Sequence, residues 1–180
     1  MSFGNPLVDE LSGYMKTRIV LSAAELDFFT KLDGKPSSAR ELAQSLGIDA
    51  HATARVLDCL VVFDLLKKDG GRYSLTERGA VLSMRHPETM LPMLLHMNNM
   101  WDNWSKLTAT VRNGRNPDLQ PVVGTTNEKV TRDFIGAMQV IGRKLAHEIA
   151  ATCDLKQYQR LLDIGGGSGI GMGIAGGIGS

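Results

Sequence analysis

The feature that most limits how this chain can fold is a glycine-rich stretch at residues 161–169. Leu161, Leu162 and Ile164 form a short apolar run, and glycines occupy four of the next five positions. Such a run directly before glycines is typical of a buried parallel strand that enters a tight turn. Because glycine accepts positive φ and allows close approach to the backbone, this turn either cradles a nucleotide-like ligand or is purely structural.

The spacing of these glycines separates two kinds of cofactor loop. A dinucleotide fingerprint that begins at Gly165 requires glycine at position 170, where the chain has Ile170. The sequence instead has the pattern Asp-x-Gly-x-Gly-x-Gly, from Asp163 to Gly169. The spacing therefore disfavours a dinucleotide site.

Composition limits the class of protein. The 180 residues are 43% apolar and 22% charged, which is typical of an ordinary globular protein, and the net charge of +1 gives no long-range attraction to nucleic acid or acidic membranes. No apolar run is long enough to span a membrane, and the first residues lack a secretory pattern. Cys59 and Cys153 form no CxxC pair, so we expect reduced thiols and a cytoplasmic location.

Residues 38–75 carry a compact set of local signals. Ser38 and Glu41 form a capping box for a helix that Gly47 ends, and Asp49 caps a longer helix that runs to about Leu65. The turn at 69–71 then predicts a β-hairpin. Helix, turn, helix and hairpin together predict a winged helix-turn-helix.

A winged helix often binds DNA, so its charge is informative. The second helix, 49–65, has three aspartates against one arginine, whereas phosphate contacts require lysine and arginine. The hairpin offers only Lys67, Lys68 and Arg72. We therefore expect an interaction domain and no nucleic-acid partner.

Helices are also predicted on both sides of this unit. One is expected from Pro6 to about Leu21 and a second from about Ser22 to 33–36, with more apolar surface than so short a segment buries by itself. Two long helices are expected at 89–111 and 127–151. Methionine and aromatic residues recur along both, and that pattern suits either core packing or the wall of an apolar ligand pocket.

The order of these elements resembles the dimeric O-methyltransferases of plant phenolics and bacterial polyketides, which use S-adenosylmethionine. The resemblance covers about residues 6–169, and Asp163-x-Gly-x-Gly-x-Gly is similar to the first cofactor motif of class I methyltransferases. The other matching segments are Gly13-Tyr14-Met15, Tyr73-Ser74-Leu75-Thr76, Trp101-Asp102-Asn103-Trp104, Val111-Arg112-Asn113-Gly114 and Phe134-Ile135-Gly136-Ala137-Met138.

The resemblance implies a mainly α fold in three parts. A helical dimerisation and winged-helix domain is expected at 1–88, and long helices that line an acceptor pocket are expected at 89–156. Residues 157–180 would begin an incomplete α/β, Rossmann-like methyltransferase domain with a glycine-rich tail. Family members are homodimers whose winged helix does not bind DNA.

The resemblance also implies roles for particular residues. S-adenosylmethionine would be held by the cofactor motif, namely by Asp163, Gly165, Gly166, Gly167 and Gly169. A small aromatic or polyketide-like hydroxyl substrate would contact the two long helices at Met97, Met100, Trp101, Phe134 and Met138. No metal site is expected, since the histidines have no partners at metal-ligand spacing.

The sequence departs from the family after the cofactor motif. Family members place the catalytic base and the acidic residue for the cofactor ribose well downstream, so we expect no catalytic residue here. Nine of the sixteen residues from 165 to 180 are glycine, which disfavours the helix expected there by about 1 kcal/mol for each interior glycine. The alternative is a non-catalytic dimeric winged-helix protein, either a ligand-responsive regulator or a truncated relative.

Overall fold

The computed structural model describes residues 4–116, 118–153, 160, 162 and 164, and it divides the chain into two compact units. The first unit runs from Met1 to Asn98 and the second from Asn99 to Ser180. The sequence-based boundary between residues 88 and 89 falls earlier. The described residues are mainly helical with one two-stranded sheet, as the sequence predicted.

Three helices begin the first unit: α1 (Pro6–Leu11), α2 (Gly13–Glu25) and α3 (Phe28–Leu32). The expected single helix from Pro6 to Leu21 is wrong, because the helix is interrupted at Ser12. The expected helix start at Ser22 is also wrong, since α2 continues through that residue. The second break lies at Asp27, which adopts the left-handed conformation with φ 58°, and aspartate tolerates this region better than most residues.

The helix-turn-helix follows as α4 (Ala39–Leu46) and α5 (Ala50–Val62). The predicted capping box is confirmed: Ser38 Oγ accepts from the Glu41 backbone N–H at 3.2 Å, and Glu41 Oε2 accepts from the Ser38 backbone N–H at 2.7 Å. Gly47 ends α4 with φ 68°, and Asp49 Oδ1 caps α5 by accepting from a backbone N–H at 2.7 Å. These local bonds satisfy helix-end groups that would otherwise lack partners.

The predicted hairpin is confirmed as β1 (Leu66–Asp69) paired antiparallel with β2 (Arg72–Leu75). Gly70 and Gly71 have φ values of 51° and 78°, the pair of positive angles that a two-residue hairpin turn requires. Thr76 then caps the short α6 (Glu77–Ala80). The segment after Ala80 forms turns.

The core of the first unit lies between α2, α3, α5 and the hairpin. Its members are fully buried or nearly so, and they make one continuous apolar cluster. Large side chains of this cluster include Phe28, Phe29, Leu32, Leu57, Leu60 and Leu66. Apolar packing thus fixes the helices and the wing to one another.

The remaining helices are α7 (Leu91–Ser105), which contains the boundary between the two units, α8 (Leu107–Asn113) and α9 (Glu128–Thr152). The expected single helix from 89 to 111 is wrong, because Lys106 separates α7 from α8. Asn127 caps α9 with bonds from two backbone N–H groups, close to the predicted helix start. The predicted strand and glycine loop at 161–169 lie outside the described residues except for Leu162 and Ile164.

Candidate functional site

The structure places the five residues expected to contact an acceptor on two helices. Met97, Met100 and Trp101 lie on α7, and Phe134 and Met138 lie on α9. Met97 and Met138 are each 39% exposed, and the other three are partly buried. None of the five belongs to the buried core, so these positions keep apolar surface available. Their contact with an acceptor stays a prediction.

A hydrogen bond that sequence reasoning missed joins α7 and α9 beside these residues. Asn99 Nδ2 donates to Asp133 Oδ2 at 2.9 Å, and the same oxygen accepts from Lys129 Nζ at 3.1 Å. The Asp133 side chain is only 8% exposed. Since Asn99 directly precedes Met100 and Asp133 directly precedes Phe134, this bond fixes the two helices to each other at the candidate positions.

The rest of α9 presents two further faces. One is an apolar stripe of large exposed side chains at helical spacing: Met138, Ile141, Leu145 and Ile149. The other lines a groove of about 590 Å³ together with the loop before the helix. That groove includes Arg132, Ile135 and Gln139 and none of the five predicted acceptor residues. Its residues are separated by three or four positions on α9, so helical periodicity alone does not distinguish them from a solvated face.

The first unit contains a polar cluster that links the wing to α5. Asp58 Oδ1 accepts from Lys68 Nζ at 2.7 Å and from the Tyr73 hydroxyl at 2.8 Å. The Lys68 ammonium also lies 4.9 Å from the centre of the Tyr73 ring, within range for a cation–π interaction. The cluster therefore ties the basic side chain of the wing to the helix that would otherwise face DNA.

These contacts change the proton affinities of the three groups. The hydrogen bond from Lys68, followed by that from Tyr73, lowers the pKa of Asp58 below its ordinary 3.8. The bond to Asp58 raises the pKa of Lys68 from 10.5 to about 12. Burial is the main cause that raises the pKa of Tyr73. The carboxylate and the ammonium are consequently both charged throughout the physiological pH range.

Arg72, the other strong cation of the wing, is also paired within the unit. Its Nη1 and Nη2 lie 3.2 and 3.1 Å from the two carboxylate oxygens of Glu41, and Nη2 donates to the Pro36 carbonyl at 2.8 Å. Of the three basic residues in the hairpin, two are therefore held by acidic partners. This leaves little free positive charge on the wing for phosphate contacts.

The beginning of the first unit exposes large apolar side chains. Leu7 and Leu11 on α1 and Tyr14 on α2 are each more than 60% exposed. Val8 and Met15, 45% and 37% exposed, extend the same surface. We call these five residues the α1–α2 apolar face. Several large exposed apolar side chains within one short segment mark an interaction surface more often than a solvated one.

The residues predicted to hold the cofactor, Asp163, Gly165, Gly166, Gly167 and Gly169, lie outside the described residues. Within the described part, no three histidine, cysteine or carboxylate side chains come together as metal ligands. Among the helices that the structure describes, none is long and apolar enough to cross a membrane. Cys59 and Cys153 are free thiols.

Comparison with known proteins gives these features a context. Residues 8–85 match the family model of the O-methyltransferase dimerisation domain. The tetracenomycin polyketide synthesis 8-O-methyl transferase TcmO of Streptomyces glaucescens is 30% identical over 162 residues, which are 85% of this chain and 47% of that protein. Residues 8–85 include the capping box, the hairpin and all but one of the buried core residues described above.

Two solved structures share the fold. The crystal structure of LaPhzM superposes with a TM-score of 0.80 at 21% identity and covers 96% of this chain and 54% of its own. Human N-acetylserotonin methyltransferase, solved in complex with SAM, gives a TM-score of 0.77 at 24% identity. The match covers 99% of this chain and 58% of the human one. The chain spans about half the length of the proteins it matches. Residues 8–85 thus match the O-methyltransferase dimerisation domain, and the chain is similar to O-methyltransferases over about half of their length.

Proposed function

We propose that this chain is the homodimerising and acceptor-binding part of an S-adenosylmethionine-dependent O-methyltransferase. The observation that carries this proposal is the match of residues 8–85 to the dimerisation domain, on a fold that keeps an exposed apolar face at its beginning. The methyl group would pass to the hydroxyl of a small aromatic or polyketide-like acceptor. The polyketide pathway in the name of the Streptomyces relative supports that acceptor class.

The α1–α2 apolar face is the proposed dimer contact. Leu7, Leu11 and Tyr14 would lose most of their exposed area against a second copy of the chain. Complete burial of a leucine side chain contributes about 1.5–3 kcal/mol, so burial of these residues favours self-association. Dimerisation thereby explains why a small helical unit leaves large apolar side chains in contact with water.

The acceptor is proposed to lie against Met97, Met100, Trp101, Phe134 and Met138. Methionine side chains are flexible and polarisable, and with two aromatic rings they form a surface that suits a flat apolar ligand. The bond between Asn99 and Asp133 supports this role, because it holds Met100 and Phe134 on helices that are fixed to each other.

The cofactor is proposed to bind at Asp163, Gly165, Gly166, Gly167 and Gly169, on the strength of the sequence motif. When bound, S-adenosylmethionine supplies an electrophilic methyl group on a sulfonium. The described residues contribute to such a transfer by orienting the acceptor and excluding water, and correct positioning can account for a large part of a rate enhancement. A general base for the hydroxyl proton is not assigned to any residue of this chain.

Two further parts of the proposal concern partners and location. We infer that the winged helix has no nucleic-acid partner, since Lys68 and Arg72 are paired with Asp58 and Glu41. We also place the protein in the cytoplasm, in agreement with its free cysteines. The alternative of a DNA-binding regulator requires these pairs to open on phosphate.

Sedimentation equilibrium of the 180-residue chain tests the dimer. We expect a homodimer, and we expect Leu11→Glu to weaken association by at least about tenfold because it places a charge in the apolar contact. Val62→Glu is the matched control, because Val62 is 81% exposed on α5 outside the α1–α2 apolar face. A monomeric wild type, or equal weakening by both variants, would refute this part.

Two binding measurements test the remainder. Calorimetric titration with S-adenosylmethionine should give heat that Asp163→Ala removes, and the absence of heat at millimolar cofactor would remove the enzymatic function from this chain. A gel-shift titration with duplex DNA should give no retardation at low salt. A retarded complex with steep salt dependence would favour the regulator instead.

A further inference from the structure

The first unit contains a basic cleft whose lining includes none of the residues assigned to the acceptor. It has a volume of about 380 Å³ and is lined by residues of α3, α4, β2 and the segment that follows α6. The charged residues of its lining are Lys31, Lys35, Glu41, Arg72 and Arg85. We propose that this cleft binds a small ligand through a phosphate group. This proposal is independent of the methyltransferase function.

The two arginines of the cleft are held in place by the fold. Arg72 is fixed by both carboxylate oxygens of Glu41 and by the Pro36 carbonyl. Arg85 Nη1 donates to the Asp33 carbonyl at 2.9 Å, which leaves the donors on Nη2 and Nε for another partner. A guanidinium held by backbone carbonyls loses little freedom when an anion binds, so the cleft is preorganised.

Unlike the arginines, the two lysines of the cleft have no bonding partner among the described residues. Lys31 and Lys35 are exposed, and neither ammonium forms an ion pair or hydrogen bond with any residue that the structure describes. Each therefore has three donors available for a ligand. Lysine is a common phosphate ligand because it acts as a compact point charge.

The balance of charge selects the ligand. Four cations face one carboxylate, so the cleft has three positive charges in excess. Hydrogen bonds from Ser38 lower the pKa of Glu41, so this carboxylate stays ionised. It neutralises one of the four positive charges. A phosphate monoester has a charge of about −1.5 to −2 at neutral pH and three strong acceptor oxygens, and it matches this excess better than a monocarboxylate does.

The shape of the cleft favours a small molecule over duplex DNA. Its volume lies within the range of about 300–1,000 Å³ that is usual for small-molecule sites. A duplex instead requires cations spread along an extended surface, whereas Lys68 of the wing is already bound to Asp58. In the cleft, by contrast, Lys31, Lys35 and Arg85 line a single concavity.

Titration with inorganic pyrophosphate at low ionic strength, followed by ¹H–¹⁵N NMR and calorimetry, tests the proposal on the chain as it is. We expect saturable shifts at Lys31, Lys35 and Arg85. Lys31→Gln and Lys35→Gln should each weaken binding about threefold or more, and the double variant should weaken it by more than tenfold. Both side chains are exposed, so these variants retain the fold.

The matched control is Lys67→Gln, an exposed lysine of β1 that does not line the cleft. We expect it to bind pyrophosphate as the wild type does. Equal weakening by Lys67→Gln would show a diffuse charge effect and overturn the proposal, as would wild-type affinity in the double variant. Duplex DNA that competes with pyrophosphate and binds more tightly would replace the small ligand with nucleic acid.

Discussion

Gly79 in α6 is the position where a single added methyl group should do the most damage. A Cβ built there would lie 1.9 Å from the Leu65 carbonyl oxygen, whereas ordinary contact begins at 3.4 Å. Gly79→Ala therefore requires a backbone displacement of more than an ångström between α6 and the end of α5. The contact is with main chain, so no side-chain rotation relieves it.

The expected change in the free energy of unfolding combines two destabilising effects and one stabilising effect. Overpacking of a tight contact costs about 1–3 kcal/mol. Displacement of Leu65 also weakens the bond that its carbonyl accepts from the Thr76 backbone N–H at 3.2 Å, at a cost of about 1 kcal/mol. Alanine is favoured over glycine in a helix by about 1 kcal/mol, which offsets part of this. We expect a net loss of about 1–3 kcal/mol in the free energy of unfolding.

Thermal unfolding followed by circular dichroism measures the effect, and the midpoint should fall by roughly 4–8 °C for each kcal/mol in a unit of this size. Gly142→Ala is the matched control, because Gly142 lies inside α9 and its added Cβ would meet no atom within 4 Å. That variant should stabilise α9 by up to about 1 kcal/mol. Equal stabilisation by both alanines would show that the approach of Leu65 to Gly79 is not a real constraint.

Three further predictions concern the polar cluster, the α7–α9 bond and the core. Because the pKa of Asp58 is lowered in the fold, its contribution to stability is present above 3.8 and is lost as the pH falls through the lowered value. The raised pKa of Lys68 gives a contribution that is present below 10.5 and is lost as the pH rises through about 12. Asp58→Asn should therefore flatten both limbs of a pH titration of the midpoint, and an unchanged profile would contradict the pairing. Asp133→Ala leaves Asn99 without its acceptor and should cost about 1–3 kcal/mol, seen as faster amide exchange in α9, whereas Asp118→Ala at an exposed site should have little effect. Phe29→Ala, at a fully buried site, should cost about 3–5 kcal/mol by chemical denaturation, and a loss under 1 kcal/mol would mean that the core is not packed as described.

The parts of the fold that the sequence predicted well are those whose cause lies within a few residues. The capping box of Ser38 and Glu41, the Gly47 end of α4 and the glycine pair of the hairpin are local devices, and each was found where expected. The breaks at Ser12 and Lys106 were missed because the apolar spacing continues across them, although the helical backbone does not. Periodicity indicates which face is buried, but it does not locate a short interruption.

At the candidate acceptor site, the sequence likewise failed to predict contacts between residues that are far apart in the chain. Met100 and Phe134 were singled out through the resemblance to O-methyltransferases, because their residue types suit core packing as well as an apolar ligand. The bond between Asn99 and Asp133 joins residues 34 positions apart, and no local pattern connects them. Likewise, the approach of Gly79 to Leu65 depends on how α6 packs against the end of α5. Such tertiary contacts follow from the assembled fold and not from the spacing of residues.

The winged helix shows why a fold by itself does not assign a function. The backbone of α4, α5 and the hairpin is suited to DNA, yet the side chains that decide the matter are Lys68 and Arg72, and both are bound to carboxylates of the same unit. Lys31 and Lys35, in contrast, have no such partner among the described residues, and they line a concave cleft with Arg85. Opening the ion pairs to contact a duplex would give up bonds that already exist, whereas an anion in the cleft would add bonds without breaking any. The pairing of Lys68 and Arg72 therefore disfavours nucleic acid at the wing, and the lining of the cleft favours a small anion.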